Sequence, residues 1–525
     1  MLKLLDSLRL PRIGSDGDHP LASAREAAQI YTELRNGDPL KSVEEIADWL
    51  QSIPALDFLK PERRFEIVRD LDDLAQPHRA KLAREAATPG RGASARDARV
   101  WTLMQELWQR AIAAYLDLIA RIDAKEKGSD ALRKEVPLIA LRALRAANLR
   151  LRALLLRYGP VPADLWVDVA RAYRFAESRG QQLARVQVYT GVAGEACAEE
   201  ELLRALLFAA SAPDALTPPK IEIAERIVAL LAAKFHLTLT PQPNSTYWFD
   251  LEAPRQPLRL AAPPAHITPG LRFFATATGH AEVQAMLERV EKAREVPRGV
   301  DLGGAASVEA VADVLRHLRQ NWAPRPPVRR SERKRQAARI RVVHGLEAVV
   351  GCVRPAAPDL DFDLGEPPPA ELWTVENQSG GGFGAVVEPP PADWLAIGAL
   401  VALQPEGGAA HWDIGIVRRL AHVEGAKGVE TRVGVQVLTR GALHGEFTTN
   451  IGRWAHGVAT VEGAVIPEGG EAGAIMVALA HGLYLPGEQL LAMIAERPHL
   501  LFPIGLVERG ADYDLIKFRA MVQET

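Results

Sequence analysis

Near residue 321 the spacing of apolar residues changes, and the change limits what the chain can fold into. Upstream, apolar residues recur every three or four positions, the spacing of an amphipathic helix. Downstream they fall in short runs rich in Val and Ile and broken by Gly and Pro, the pattern of a small antiparallel barrel or sandwich. One chain therefore carries two kinds of core.

The helical pattern runs through Ser23 to Asn36, Leu40 to Ile53, Lys60 to Ala87, Ala98 to Asp123, Val136 to Tyr158, Ala163 to Arg179, Ala198 to Ala210 and Pro219 to Phe235. It resumes at Ala281 to Ala293 and Val308 to Gln320. Thr88 to Asp97 reads as a loop, and no fixed repeat appears. Trp101, Trp108 and Trp166 stand at helical core positions. Between Leu237 and Thr278, prolines and the run TYWFDLE predict short strands.

After Asn321 the strand-like runs are RVVHGLEAVVG, ELWTVENQS, FGAVVE, LVALQP, WDIGIVRRL and TRVGVQVL. Further runs cover Gly473 to Leu485, Leu490 to Ala495, Leu500 to Val507 and Tyr513 to Met521. Arg354 to Glu371 is Pro-rich and acidic and is expected to be a mobile loop. The expected fold is multidomain α+β. A mostly helical domain spans 1–320 with a β excursion at 237–278, a barrel spans 321–445, and a β-rich extension spans 446–525.

A chain of 525 residues is too long for one core. Its 63 Lys and Arg against 66 Asp and Glu give a net charge of -3, so only local clusters could attract nucleic acid or a membrane. Two distant cysteines, Cys197 and Cys352, make neither a disulfide framework nor a zinc spacing. MLKLLDSLRLPRIG is too short and too charged for a signal peptide, and no run is long enough to span a bilayer. A cytoplasmic location is the expectation. There is no GxSxG, P-loop, HExxH or Rossmann fingerprint, and His411 and His422 have no ligand spacing. The chain thus reads as a non-enzyme with no catalytic residue, metal or cofactor.

Two segments carry chemistry. RKRQAARIRVV, Arg333 to Val343, sets Arg335 and Arg339 four apart at the entry to a strand. ENQSGGGFGAVV, Glu376 to Val387, contains Asn377, Ser379 and Gly382 as NxSxxG. An arginine can meet the O6 and N7 edge of guanine with two hydrogen bonds, stack on the base, or neutralise phosphate. A carboxamide or hydroxyl oxygen can accept from guanine N–H groups, and glycine permits close backbone approach.

Together these segments resemble the PilZ family, over roughly Arg325 to Leu443, with RxxxR before the first strand and [D/N]xSxxG in a later strand and turn. The resemblance implies a β-barrel that binds cyclic di-GMP through Arg335, Arg339, Asn377, Ser379 and Gly382. Arg329, Arg330, Arg333 and Gly381 are secondary candidates, since Arg325/Arg329 and Arg329/Arg333 also satisfy RxxxR. It departs from the commoner pattern in having Asn377 where Asp is usual. It implies a receptor for motility, surface polysaccharide or pilus function, with a protein partner for the helical domain. The stiff segment NWAPRPPV would transmit closure of the arginine arm over the ligand.

Plainer readings stand beside this one. The basic cluster Arg325 to Arg341 is also what a solvated linker or a nucleic-acid arm looks like, and Ser379 with its glycines also makes a simple turn. A barrel without ligand, serving only protein contacts, is the rival. The arginines of Val136 to Tyr158 form a face that either is solvated, pairs with acids such as Glu199 to Glu201, or docks an anionic partner.

Overall fold

A computed structural model describes residues 19–86, 95–192, 194–261, 264, 266–325, 334–355, 370–387, 393–407, 411–425, 428–450, 458–467 and 473–522. The chain forms two compact units. The first holds most residues up to Pro327, and the second runs from Val328 with the short pieces Tyr158–Pro160 and Asp214–Thr217.

The first unit is built on helices α1 (Ala24–Asn36), α2 (Pro39–Ser52), α3 (Pro61–Ala86), α4 (Ala95–Asp123), α5 (Val136–Leu155), α6 (Ala163–Glu177), α7 (Ala198–Ala210), α8 (Pro218–Leu231), α9 (His280–Ala293) and α10 (Val308–Asn321). Their starts follow the chemistry of caps: the side chains of Ser23, Asp38 and Ser307 accept from the first-turn N–H groups of α1, α2 and α10. Strands β1 (Val186–Gln187) and β2 (Glu195–Ala196) pair with each other. The β excursion is a three-stranded sheet of β3 (Tyr247–Asp250), β4 (Leu258–Arg259) and β5 (Leu271–Phe274), in the order β4-β3-β5. The loop expected to reach Asp97 ends sooner, since α4 already begins at Ala95.

Helix α5 explains the arginine face. It is buried nearly all round, so Arg142 and Arg150 are taken out of water and the others meet partners nearby. Arg142 is 1% exposed and donates to Asp73 at 2.7 Å and to the Val188 carbonyl at 2.8 Å, with Asp72 at 3.4 Å. Arg145 bonds Glu201 at 2.5 Å, and Arg152 pairs with Glu222. Arg157 lies over the Trp101 ring. The face is largely internal glue between helices, as pairing with nearby acids foretold, and only its end at Arg157 is exposed.

The second unit contains two closed six-stranded barrels. The first uses β6 (Lys334–His344), β7 (Glu371–Ser379), β8 (Gly382–Val387), β9 (Leu400–Pro405), β10 (Asp413–Gly425) and β11 (Gly428–Arg440), ordered β10-β11-β8-β7-β6-β9. Alternate residues point inward, so Ile340, Val342, Trp373, Val375, Phe383, Ala385, Val433 and Val435 fill its core. The second uses β12 (Leu443–Asn450), β13 (Val458–Pro467), β14 (Ala474–Leu479), β15 (Leu490–Ile494), β16 (Arg497–Arg509) and β17 (Asp514–Val522), ordered β12-β13-β14-β17-β16-β15.

Three details depart from the sequence reading. RVVHGLEAVVG is not one strand: Gly345, at φ +84°, ends β6, and Leu346–Val353 forms helix α11. The β-rich extension is a full barrel that includes two earlier strands, β12 and β13. Arg335 and Arg339 lie within β6 and not on an arm before it. The expected loop at Arg354 to Glu371 falls almost wholly outside the described residues.

Candidate functional site

The NxSxxG segment is a β-hairpin. β7 runs to Ser379, Gly380 and Gly381 make the turn, and Gly382 opens β8 directly opposite Ser379. The Ser379 hydroxyl donates to the Gly382 carbonyl at 3.1 Å, which closes the turn. The Gly381 carbonyl accepts from the N–H of Val437 at 3.1 Å, tying the turn to β11. Gly382 has φ +157°, and a Cβ there would stand 2.2 Å from the Val435 carbonyl oxygen. Glycine is thus required by the backbone of the neighbouring strand.

Three residues before the end of β7, a bulge re-aims the chain. Val375 pairs with Ala385 and Asn377 pairs with Gly384, so Glu376 is the extra residue. The bulge brings Asn377 to the outer face, opposite Gly384. Its carboxamide lies across that glycine: a Cβ on Gly384 would be 3.1 Å from both Oδ1 and Nδ2. Asn377 Oδ1 is buried and has no hydrogen-bond partner among the described residues. A buried acceptor without a donor is costly, and its cost is recovered by any donor brought to it.

The arginine pair lies on the adjoining strand. Arg335 is the backbone partner of Asn377, and Arg339 is the partner of Thr374, with a register shift between Arg335 and Ala338. The Arg339 side chain is exposed on the outer face. Arg329, Arg330 and Arg333 lie outside the described residues, as do Pro326 to Glu332 of the linker and arm. The register thus brings Arg335 alongside Asn377, and Ser379 and Gly382 lie two positions further on.

Residues outside both motifs complete the face. Gly384 is paired with Gly434 of β11, and Gly382 with Gln436. These glycines add no side chain of their own to the outer surface across β8 and β11, where the Asn377 carboxamide lies over Gly384 and the Arg419 side chain over Gly434. Arg432, two positions from Gly434, reaches Glu376 at 3.5 Å. Gln436 accepts from Arg418 at 2.8 Å. The signal for Arg432, Gly434 and Gln436 was in TRVGVQVL: they alternate with the core residues Val433 and Val435 and so share the opposite face.

Elsewhere, the Cys352 thiol is pushed up to about 11 by burial, and Cys197 is also raised by burial. No group of three metal-ligating side chains occurs among the described residues. Among those residues, no helix is long and apolar enough to cross a membrane.

Residues 25–243 match the family described as "Cyclic-di-GMP receptor FimW, N-terminal domain". The match lies upstream of both barrels. Among solved structures, the chain is similar to "MrkH, A novel c-di-GMP dependence transcription regulatory factor", at 9% identity over 36% of this chain and 78% of that chain. The TM-score of that match is 0.13, too low to carry an argument. No curated protein matches the chain.

Proposed function

We infer that this chain is a cyclic di-GMP receptor, and not an enzyme, whose ligand sits on the outer face of a PilZ-type first barrel. One juxtaposition carries the reading. Asn377 holds a buried acceptor over Gly384 that has no partner among the described residues, and Arg335 is its neighbour on the adjacent strand. Guanine offers N–H donors to that oxygen, and its O6 and N7 are acceptors for an arginine. Glycines at 384 and 434 put no side chain of their own between a flat base and the strands, which leaves Asn377 and Arg419 as the groups that a base would meet there. The match of residues 25–243 to a cyclic-di-GMP receptor family supports the same ligand from the other end of the chain.

Calorimetric titration of the whole protein with cyclic di-GMP is the test. Arg335→Ala and Arg339→Ala should each cost about 1.5–3 kcal/mol, roughly ten- to a hundredfold in affinity. Arg325→Ala should leave it unchanged. A protein that takes up no ligand would favour the rival scaffold reading, for which the Ser379 to Gly382 bond is a purely structural closure.

A further inference from the structure

We propose that Arg432 is a further ligand-binding arginine of this face, held by Glu376 until a nucleotide phosphodiester claims it. This rests on the reading of the site just given. Arg432 stands on β11 opposite Val386 of β8, and Val386 is opposite Thr374 of β7. Its guanidinium nevertheless lies 3.5 Å from the carboxylate of Glu376 on β7. The side chain therefore leans across β8 toward the strand that carries Asn377. Glu376 is the extra residue of the bulge and immediately precedes Asn377, so the guanidinium is held by the residue next to the one that carries the carboxamide. Gly384 and Gly434, paired with each other, add no side chain of their own there, and their neighbours over this surface are Asn377 and Arg419.

The latch is a weak one. Both partners are substantially exposed, 51% for Arg432 and 38% for Glu376, so water screens their attraction. A phosphodiester presents two oxygens to the planar guanidinium fork, a better match than one carboxylate oxygen at 3.5 Å. Glu376 also sets a negative charge at the rim of a face that is to receive an anion. The pair thus acts as an internal competitor: the ligand must displace Glu376 to gain Arg432.

The test is calorimetric titration of the full chain with cyclic di-GMP for the parent, Arg432→Gln, Glu376→Gln and the double variant. Thermal unfolding would first establish that each variant folds as the parent does. Arg432→Gln should weaken binding about tenfold. Glu376→Gln should tighten it several-fold, because the competitor is gone and the arginine remains. In the double variant the gain from Glu376→Gln should shrink to what removal of its rim charge alone supplies. If the parent binds and Arg432→Gln binds equally well, or if Glu376→Gln weakens binding, the latch is wrong while the receptor reading stands. If the parent itself takes up no cyclic di-GMP, the receptor reading falls and takes the latch with it.

Discussion

Replacing Gly382 by alanine separates the two roles a motif glycine can play. A Cβ at this position would stand 2.2 Å from the Val435 carbonyl oxygen and 3.2 Å from the Gln436 α-carbon. Both are backbone atoms, so no rotamer change relieves the clash and β8 must move off β11. That forfeits the Gly382 to Gln436 pairing and the two contacts beside it, Val437 N–H to Gly381 and Ser379 to Gly382. Each bond contributes about 1 kcal/mol, and a glycine-only backbone conformation adds about 1–3 kcal/mol for alanine. The expected loss is about 4 kcal/mol. At about 2–4 °C per kcal/mol for a unit of this size, the unfolding midpoint should fall by about 10 °C. Scanning calorimetry measures the shift, and amide exchange should quicken in β8 and β11 first. Gly382→Ala with the parent's midpoint and unchanged exchange would refute the packing argument. Ser379→Ala removes only one of these bonds and should cost about 1 kcal/mol. Lost ligand binding in a Gly382 variant therefore reports a displaced strand, whereas lost binding in Ser379→Ala reports a contact.

Arg142→Met should destabilise the helical unit by about 3–5 kcal/mol in urea denaturation, because Asp72 and Asp73 lose their buried counter-charge. Burial, aided by Asp164, raises the Asp168 carboxyl to about 6. The folded state thus favours the neutral form; the benefit is complete below the ordinary carboxylate range and is lost as pH rises through about 6. Asp168→Asn should raise stability at pH 7 by about 1 kcal/mol, allowing for the solvent around a partly exposed group, and change little near pH 4. Burial lowers the His422 imidazole, so folding favours its neutral form. Stability should fall as pH drops below about 6.5, and His422→Gln should flatten that slope in urea midpoints taken across the range.

The helical half was legible because its apolar spacing is sustained. The spacing predicts a helix over Val136 to Tyr158, and α5 runs from Val136 to Leu155. The fate of its arginines was harder, since their partners Asp72, Asp73, Glu201 and Glu222 lie on other elements. Alternation and glycine gave the hairpin from Glu371 to Val387, but not the bulge at Glu376 that turns Asn377 outward, which only strand pairing defines. Leu346 to Val353 failed for a different reason. A short apolar run fits a buried strand and a buried helix equally, and the positive φ of Gly345 decides between them. Arg432 belongs to no motif, and its place beside the site depends on β11 pairing with β8.

The boundary near residue 445, placed between a barrel and an extension, makes a last prediction. One apolar cluster is shared across it. Val343 of β6, Leu346, Val349 and Val350 of α11, Leu400 of β9, and Ile414 and Ile416 of β10 pack with Ala464 and Ile466 of β13, Ala478 of β14, and Tyr513 and Leu515 at the start of β17. Strand alternation explains the sharing. In β10, Val417 and Leu420 face into the first barrel while Ile414 and Ile416 face out, so the second barrel is the cover for an otherwise wet apolar face. The N–H of Leu346 also donates to Asp512 at 2.6 Å, which caps the start of α11 from the second barrel. Uncovering seven large aliphatic side chains forfeits on the order of 10 kcal/mol, comparable with the whole stability of a domain. A chain ended after Gly441 should therefore leave the first barrel aggregated or unfolded, even though all six of its strands remain. Circular dichroism and light scattering of that truncated chain measure this. A monodisperse product with cooperative unfolding would show that the first barrel stands alone and that the shared cluster is dispensable.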